Sequence, residues 1–249
     1  MSGELWCVRA GLVPYGEARE LQKRVESARQ RGDLPDVLLL LEHPPVYTKG
    51  RRATRDELPM GEDWYRMQGI EVTDTDRGGR VTYHGPGQLV GYPIVGLRAL
   101  ANRTTPGREA EHVARIDVVE YIRRMERVMI GSLGECGVDA GLIEGQTGVW
   151  VGERKIGSIG VHVNRGVTTH GFAINVNNDL QPFEWIVPCG IEACRVTSLC
   201  RELGAEQDMD AFMDTVARTF GEVYEREPLE IDRAALDERV LGTAPATSG

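Results

Sequence analysis

Apolar residues recur along this chain in distinct rhythms, and each rhythm predicts an element. Ala18, Leu21, Val25 and Ala28 return at three- and four-residue steps, which predicts a helix from about Tyr15 to Arg31. Val118, Ile122, Met125, Met129 and Leu133 share one face of a second helix, with Asp117 placed to cap it. The run VLLLLE from Val37 is continuous, as in a strand buried on both faces. Leu5–Arg9, Arg80–Tyr83 and Leu89–Val95 read as further strands. GVWV, KIGSIGVHV and VTTHGFAINV are β-rich and separated by short turns with Gly or Asn, the pattern of a meander. Helices near Val196–Leu203 and Asp210–Tyr224 are expected to close the domain.

Polar stretches interrupt these rhythms. HPPVYTKGRR reads as a loop on its two prolines, and residues 53–70 as a charged surface loop with a helical turn. The segment GLRALANRTTPGREAEHVAR, with Pro106-Gly107, reads as a mobile insertion, and the end GTAPATSG as a disordered tail. The chain shows no internal repeat and no linker. Hairpins mixed with helices favour an α+β fold over a doubly wound sheet.

Totals narrow the picture. The 249 residues suit one large domain or one domain with a small lobe. A net charge of -9 argues against general nucleic-acid binding, although a local basic patch can act inside an acidic total. No apolar run approaches the roughly 18 residues of a membrane span, and MSGELWCVRAG lacks a signal pattern, so the expected location is cytoplasmic. The cysteines, Cys7, Cys136, Cys189, Cys194 and Cys200, contain no C-x-x-C pair and are expected to be reduced. The spacing of the last three is not a familiar zinc pattern, so no metal site is expected.

The chemistry concentrates around DTDRGGRVTYHGPGQLVGYPIV, from Asp74 to Val95. It is no phosphate loop, because the Gly-Lys pair and the following helix are missing. It is either a hairpin with an awkward turn or a backbone shaped to approach a ligand closely. Arg77 and Arg80 read as solvated or ligand-facing. His84 stays open between a satisfied loop histidine, an acid/base group and a substrate contact. Cys189, in IVPCGI, reads first as a buried inert thiol, although Pro188 and Gly190 suit a constrained loop that presents it. Lys155 reads first as a solvated hairpin lysine; held beside a thiol, it would favour the thiolate. His162 and His170 read as packed or exposed histidines near a turn, and a Cys-His hydrolase using His84 or His170 is conceivable.

RGGRVTYHGPGQLVGYP resembles the signature segment of the octanoyltransferases, the lipoate-protein ligase B family of lipoate synthesis. GVWVGERKIGSIGVHV resembles that family's lysine segment, and HGFAINV, FEWIVPCGI and VTSL its cysteine segment. The resemblance runs in order from about Leu5 to Leu203. The insertion near 98–115 and the chain past about 226 are unmatched, so a catalytic domain is expected over 1–226 and a partly disordered extension over 227–249. The resemblance implies a mixed, mostly antiparallel sheet with flanking helices and a smaller sheet, as in biotin and lipoate protein ligases.

It also implies an activity: an octanoyl group moves from acyl carrier protein, through a cysteine thioester, to a lysine of lipoyl domains. Those acceptors are the E2 subunits of 2-oxoacid dehydrogenases and the glycine cleavage H protein. Carried over residue by residue, Cys189 becomes the nucleophile and Lys155 its partner. The acyl pocket would be lined by Arg77, Gly78, Gly79, Arg80, Val81, Thr82, Tyr83 and His84 on one wall. Ser158, Ile159 and Gly160 would form a second wall, and Gly171, Phe172 and Ala173 a third. No cofactor is implied. Its partners are acidic, so attraction to a chain at -9 requires a local basic cluster, either Arg51, Arg52 and Arg55 or Arg123, Arg124 and Arg127. The rival readings are an ATP-dependent lipoate or biotin ligase and a catalytically silent lipoyl-domain-binding module.

Overall fold

A computed structural model describes residues 3–97, 118–186 and 195–242. An eight-stranded sheet is its frame. The strands are β1 (Gly3–Leu12), β2 (Asp36–Glu42), β6 (Gln88–Ile94), β7 (Gly141–Ile143), β8 (Gln146–Val151), β9 (Arg154–Asn164), β10 (Val167–Asn175) and β11 (Arg226–Glu230). They lie in the order β11-β1-β2-β6-β10-β9-β8-β7. Only the β11–β1 and β1–β2 pairs are parallel. The remaining pairs are antiparallel, as short hairpins allow. A second sheet, ordered β4-β3-β5, is built from β3 (Val46–Lys49), β4 (Glu71–Asp74) and β5 (Val81–His84). The fold is therefore α+β with a mixed, mostly antiparallel sheet and a smaller one.

The apolar rhythms become two layers of core. Helix α1 spans Tyr15–Arg31 and ends on Gly32 in the left-handed region, which spares its last carbonyls a side-chain clash. It packs on one face of the main sheet against Val37, Leu39 and Leu41 of β2. Leu38 and Leu40, pointing the other way, meet α3 (Val118–Glu135) and α6 (Met209–Tyr224) through Met125, Met129, Val216 and Phe220. Alternation along one strand thus feeds two cores, which is why VLLLLE is apolar at consecutive positions. The small sheet has its own core of Tyr47, Tyr65, Tyr83 and Phe183, covered by α2 (Glu62–Met67) and α4 (Gln181–Glu184).

Several expectations are corrected. HPPVYTKGRR is not all loop, because Val46–Lys49 forms the central strand of the small sheet. Its two prolines, Pro44 and Pro45, precede the strand and leave the ladder intact, so their loop signal holds only for the residues before Val46. Residues 53–70 include the expected helical turn at α2, but Leu58, Tyr65 and Ile70 are buried, and strand β4 follows. Helix α5 is only Leu199–Leu203; Val196 instead bridges to Lys155.

Two helices do not close the domain. Residues 226–230 join the main sheet as β11, and α7 (Arg233–Gly242) buries Leu236 and Val240 in the α1 core. Buried Asp36 holds this segment with Arg226 at 2.9 Å and reaches Arg29 at 2.9 Å. The expectations for the 98–115 insertion, for Asp117 as a cap, for the tail after 242 and for the surroundings of Cys189 and Cys194 lie outside the described residues.

Candidate active site

One cavity of about 470 Å³ gathers almost every residue of the three glycine-containing segments. The loop before β5 and β5 itself contribute Arg77, Gly78, Gly79, Arg80, Val81, Thr82 and His84. Strand β9 contributes Ser158, Ile159 and Gly160, and β10 contributes Gly171, Phe172 and Ala173. The antiparallel register puts Ser158 opposite Ala173, Ile159 opposite Phe172 and Gly160 opposite Gly171, so two of the walls are one continuous piece of sheet. Tyr83 is the exception. Alternation along β5 turns it away from the cavity, to pack on Tyr47 and Phe183 in the small-sheet core.

The glycines serve the protein's own packing. A Cβ on Gly160 would stand 2.9 Å from the Gly78 carbonyl oxygen and 3.0 Å from Arg77 Cδ. One on Gly50 would stand 2.8 Å from Arg77 Nη1, and one on Gly171 would collide with the Gly91 carbonyl on the neighbouring strand. The 77–79 loop can therefore lie flat on the sheet, with Gly78 N–H donating to the Val161 carbonyl at 2.8 Å. Gly171→Ala is expected to cost about 3 kcal/mol through this backbone overlap, read as a lower urea midpoint with unchanged m-value. A midpoint equal to wild type would show that β6 and β10 separate freely.

Arg77 is not solvated, and Arg80 is only partly so, its side chain 40% exposed. Arg77 is buried, and its guanidinium donates to the Thr48 and Arg80 carbonyls at 2.6 and 2.8 Å and to Thr48 Oγ1. Arg80 pairs with buried Glu57 at 2.5 Å. Lys155, read first as a solvated hairpin residue, is only 7% exposed. Its backbone is pinned on both sides of one bridge: Lys155 N–H donates to Arg195 O at 2.8 Å, and Thr197 N–H donates to Lys155 O at 2.9 Å. Its Nζ lies 5.2 Å from the centre of the Trp150 ring. Gly148, at φ +117°, clears space for it, since a Cβ there would be 2.8 Å from Lys155 Cε.

Buried histidines support the same cavity. The Val13 carbonyl can only accept, so His43 carries its proton on Nδ1 (2.6 Å) and Tyr92 donates its hydroxyl to Nε2 (2.7 Å). Burial pushes the His43 pKa down to about 4, so the ring is neutral near pH 7. The Gln88 amide nitrogen donates to Tyr83 O and Asn175 Oδ1, which turns Gln88 Oε1 toward His84 Nδ1 at 2.7 Å. His84 therefore donates from Nδ1, and burial holds its pKa well below the usual histidine range. His170 has φ +57°, an uncommon conformation for a non-glycine residue. Its Nε2 donates to Asp76 Oδ1 at 3.0 Å, and burial lowers its pKa. That hydrogen bond holds Asp76 below the ordinary carboxylate range.

Sequence reading missed Tyr15, Val90 and Tyr92 in the lining, Ile122 on α3, and Gln146 and Thr147 beside GVWV. Val90 and Tyr92 lie inside the quoted glycine-rich stretch, so position offered a signal. Tyr15 offered none, because it reaches the cavity from the start of a helix. His162 contacts Arg51 at 3.1 Å and is not in the cavity lining, whereas His170 is.

Charge in the lining is one-sided. Among the described residues it holds Arg52, Arg77, Arg80 and Lys155, and no Asp or Glu. Among the described residues no group of three or more His, Cys, Asp or Glu converges as metal ligands would. No described helix is long and apolar enough to cross a membrane. Burial raises the Cys7 thiol to about 12 and also raises that of Cys136, which makes both poor nucleophiles.

Residues 14–221 match the family model of the lipoyl protein ligase A/B catalytic domain. An octanoyltransferase of Koribacter versatilis is 43% identical over 225 residues, covering 89% of this chain and 85% of its own. An octanoyltransferase of Mycolicibacterium smegmatis is 46% identical over 215 residues, covering 84% of each. A solved lipoate-protein ligase A with bound ATP superposes with a TM-score of 0.68 at 17% identity, over 97% of this chain and 94% of that one. The Thermoplasma acidophilum bipartite lipoate protein ligase, solved in a study of that ligase and its E2 lipoyl domain, gives 0.68 at 18% identity, over 97% and 91%.

Proposed function

This chain belongs to the lipoyl protein ligase A/B catalytic domain family and is an acyltransferase of the octanoyltransferase kind, and from that premise we propose its reaction in detail. It takes an octanoyl group from octanoyl-acyl carrier protein, holds it as a thioester on Cys189, and passes it to a lysine of a lipoyl domain. The observation that carries this reading is the buried Lys155 in the lining of the cavity. Its backbone is bonded to Arg195 and Thr197, and Cys189 stands six positions before Arg195 in the sequence.

The steps balance without a further reactant. The Cys189 thiol gives up its proton and the thiolate attacks the donor carbonyl; its new C–S bond forms, and the carrier's C–S bond breaks as that thiol leaves with the proton Cys189 gave up. The uncharged lysine amine of the acceptor then attacks the Cys189 thioester. An amide forms as the thioester C–S bond breaks, and the proton that the amine loses returns the released Cys189 to its thiol. The donor is already activated, so nothing in these steps calls for a nucleotide. The cationic lining stabilises the thiolate and the oxyanion that forms on attack. The sheet formed by Ser158–Gly160 and Gly171–Ala173 supplies an apolar wall for the acyl chain.

The test mixes the protein with octanoyl-acyl carrier protein and an apo lipoyl domain, in EDTA and without nucleotide, and reads acceptor mass. Octanoylation of the acceptor lysine at an unchanged rate after adding ATP and magnesium is the expected result. A strict ATP requirement would move the chain to the ligase reading. Binding of the acceptor with neither transfer nor acyl-enzyme would move it to the silent module.

A further inference from the structure

The two arginine clusters that the sequence offers are not equivalent in space. On α3, Arg123 pairs with Glu126 at 2.6 Å, and Arg124 and Arg127 both pair with Glu120, at 3.3 and 2.8 Å. Arg124 is also buried and lies 5.9 Å from the centre of the Tyr224 ring. These charges are spent within their own helix, in ion pairs that project little field.

The other cluster is different. The turn at residues 50–53 is bolted to the loop that walls the cavity: Gly50 N–H donates to Arg80 O, Arg51 N–H to Arg77 O and Arg52 N–H to Gly79 O, at 3.0–3.2 Å. That places Arg51, Arg52 and Arg55, all exposed, at the cavity's edge. Arg52 lines the cavity itself, and Arg51 and Arg55 line an adjoining groove of about 820 Å³. The acids of that groove are engaged by other cations. Glu62 and Asp74 pair with Lys49, and Glu62 and Asp63 pair with Arg66. Among the described residues, Arg51, Arg52 and Arg55 make no ion pair with any carboxylate. The Arg51 side chain donates to the ring of His162 at 3.1 Å.

A chain at -9 thus presents a rim of guanidinium groups, continuous with a cavity whose described lining has no acid. We infer that the Arg51, Arg52 and Arg55 rim docks the donor: an acidic carrier domain that presents its acyl thioester on a phosphate-linked arm. This rests on the transfer reading above and names the surface that serves its first half-reaction. Guanidinium forks suit both carboxylate and phosphodiester oxygens, and the arm's phosphate would lie between the carrier surface and the cavity. Attraction of this kind raises encounter rates and is screened over a Debye length of about 8 Å at 0.15 M salt.

The experiment compares two octanoyl donors, octanoyl-acyl carrier protein and octanoyl-N-acetylcysteamine, which lacks both phosphate and protein. At low salt, the Arg51→Glu/Arg55→Glu variant should lose at least tenfold in kcat/KM with the carrier, mostly through KM. It should lose less than twofold with the small thioester. Wild-type efficiency with the carrier should fall as salt rises to 0.3 M, and Arg123→Glu/Arg127→Glu should stay within twofold of wild type at every salt. Equal losses with both donors, a loss in the acceptor's KM instead, or an equal effect of the α3 variant would each overturn the proposal. Binding of fluorescently labelled carrier protein needs no turnover, so it tests docking separately. Tight binding that the Arg51/Arg55 variant weakens, with no transfer from any thioester, would sink the transfer reading and leave the docking surface standing. Absence of salt-sensitive binding alongside normal transfer would do the reverse.

Discussion

Cys189→Ala is expected to lower octanoyl transfer by roughly 10⁴-fold or more and to leave no acyl-enzyme after incubation with the donor alone. Wild-type protein should gain one octanoyl mass under the same conditions, and hydroxylamine should remove it. The size of the effect follows from the chemistry. Without the sulfur, the acceptor amine must attack the carrier thioester directly, and the described lining of the cavity holds no cysteine that could take its place. Cys7 is buried in the core under the sheet, with its thiol pushed up to about 12. The control is Cys194→Ala, which should retain the adduct. An adduct that survives in Cys189→Ala, or that maps to Cys194, would end the proposed role of Cys189.

Lys155→Ala is expected to slow acylation by about 10²–10⁴-fold while changing donor affinity little. An ordinary thiol titrates near about 8.5, so only a few per cent is thiolate at neutral pH. A neighbouring ammonium favours the thiolate and lowers that value. Removing the ammonium must therefore move the alkylation profile of Cys189 by iodoacetamide to higher pH, with the largest loss of rate below about pH 8. Lys155→Arg separates charge from proton transfer. Arginine keeps the cation and stacks on an aromatic face, as Nζ now does over Trp150, but it cannot act as a base. Substantial rescue by arginine means that charge alone matters; no rescue means that Lys155 takes the thiol proton and later returns one to the leaving thiol. Identical alkylation profiles in wild type and Lys155→Ala, with unchanged acylation, would leave the lysine a packed residue over Trp150.

Three short contiguous segments, singled out in the sequence by their resemblance to the octanoyltransferases, meet in one described cavity. RGGRVTYH, SIG and GFA each keep their residues together, and β9 and β10 pair across a hairpin turn whose central residues, Arg165 and Gly166, both take positive φ. The contiguity of those segments is why the resemblance could name most of the described lining. It failed at Tyr83, where the alternation of a four-residue strand decides which side a ring takes, and too few residues precede it to show that alternation. It failed for Tyr15, which reaches the lining from the first helix, and for His43, which backs Tyr92 and His84 from the segment after β2.

By itself the sequence determined the long elements and the chemistry-bearing segments. Periodicity over many residues reports one buried face, and α1, the β8–β10 meander and both faces of β2 follow from it. It also determined the balance of charge and which residue types are available to react. Only the tertiary structure decided which of those residues are buried, paired or left in reserve. Lys155 is indistinguishable in sequence from a solvated hairpin lysine until the segment through Val196 is laid beside it and Gly148 opens room over Trp150. The short strands β3, β4 and β11 exist because long-range partners complete their ladders, and four or five residues carry too little pattern to announce that. The two arginine clusters differ for the same reason: an ion pair is a matter of distance, and distance between Arg51 and any acid is set by how a turn is bolted onto a loop 26 positions later in the chain (77 − 51).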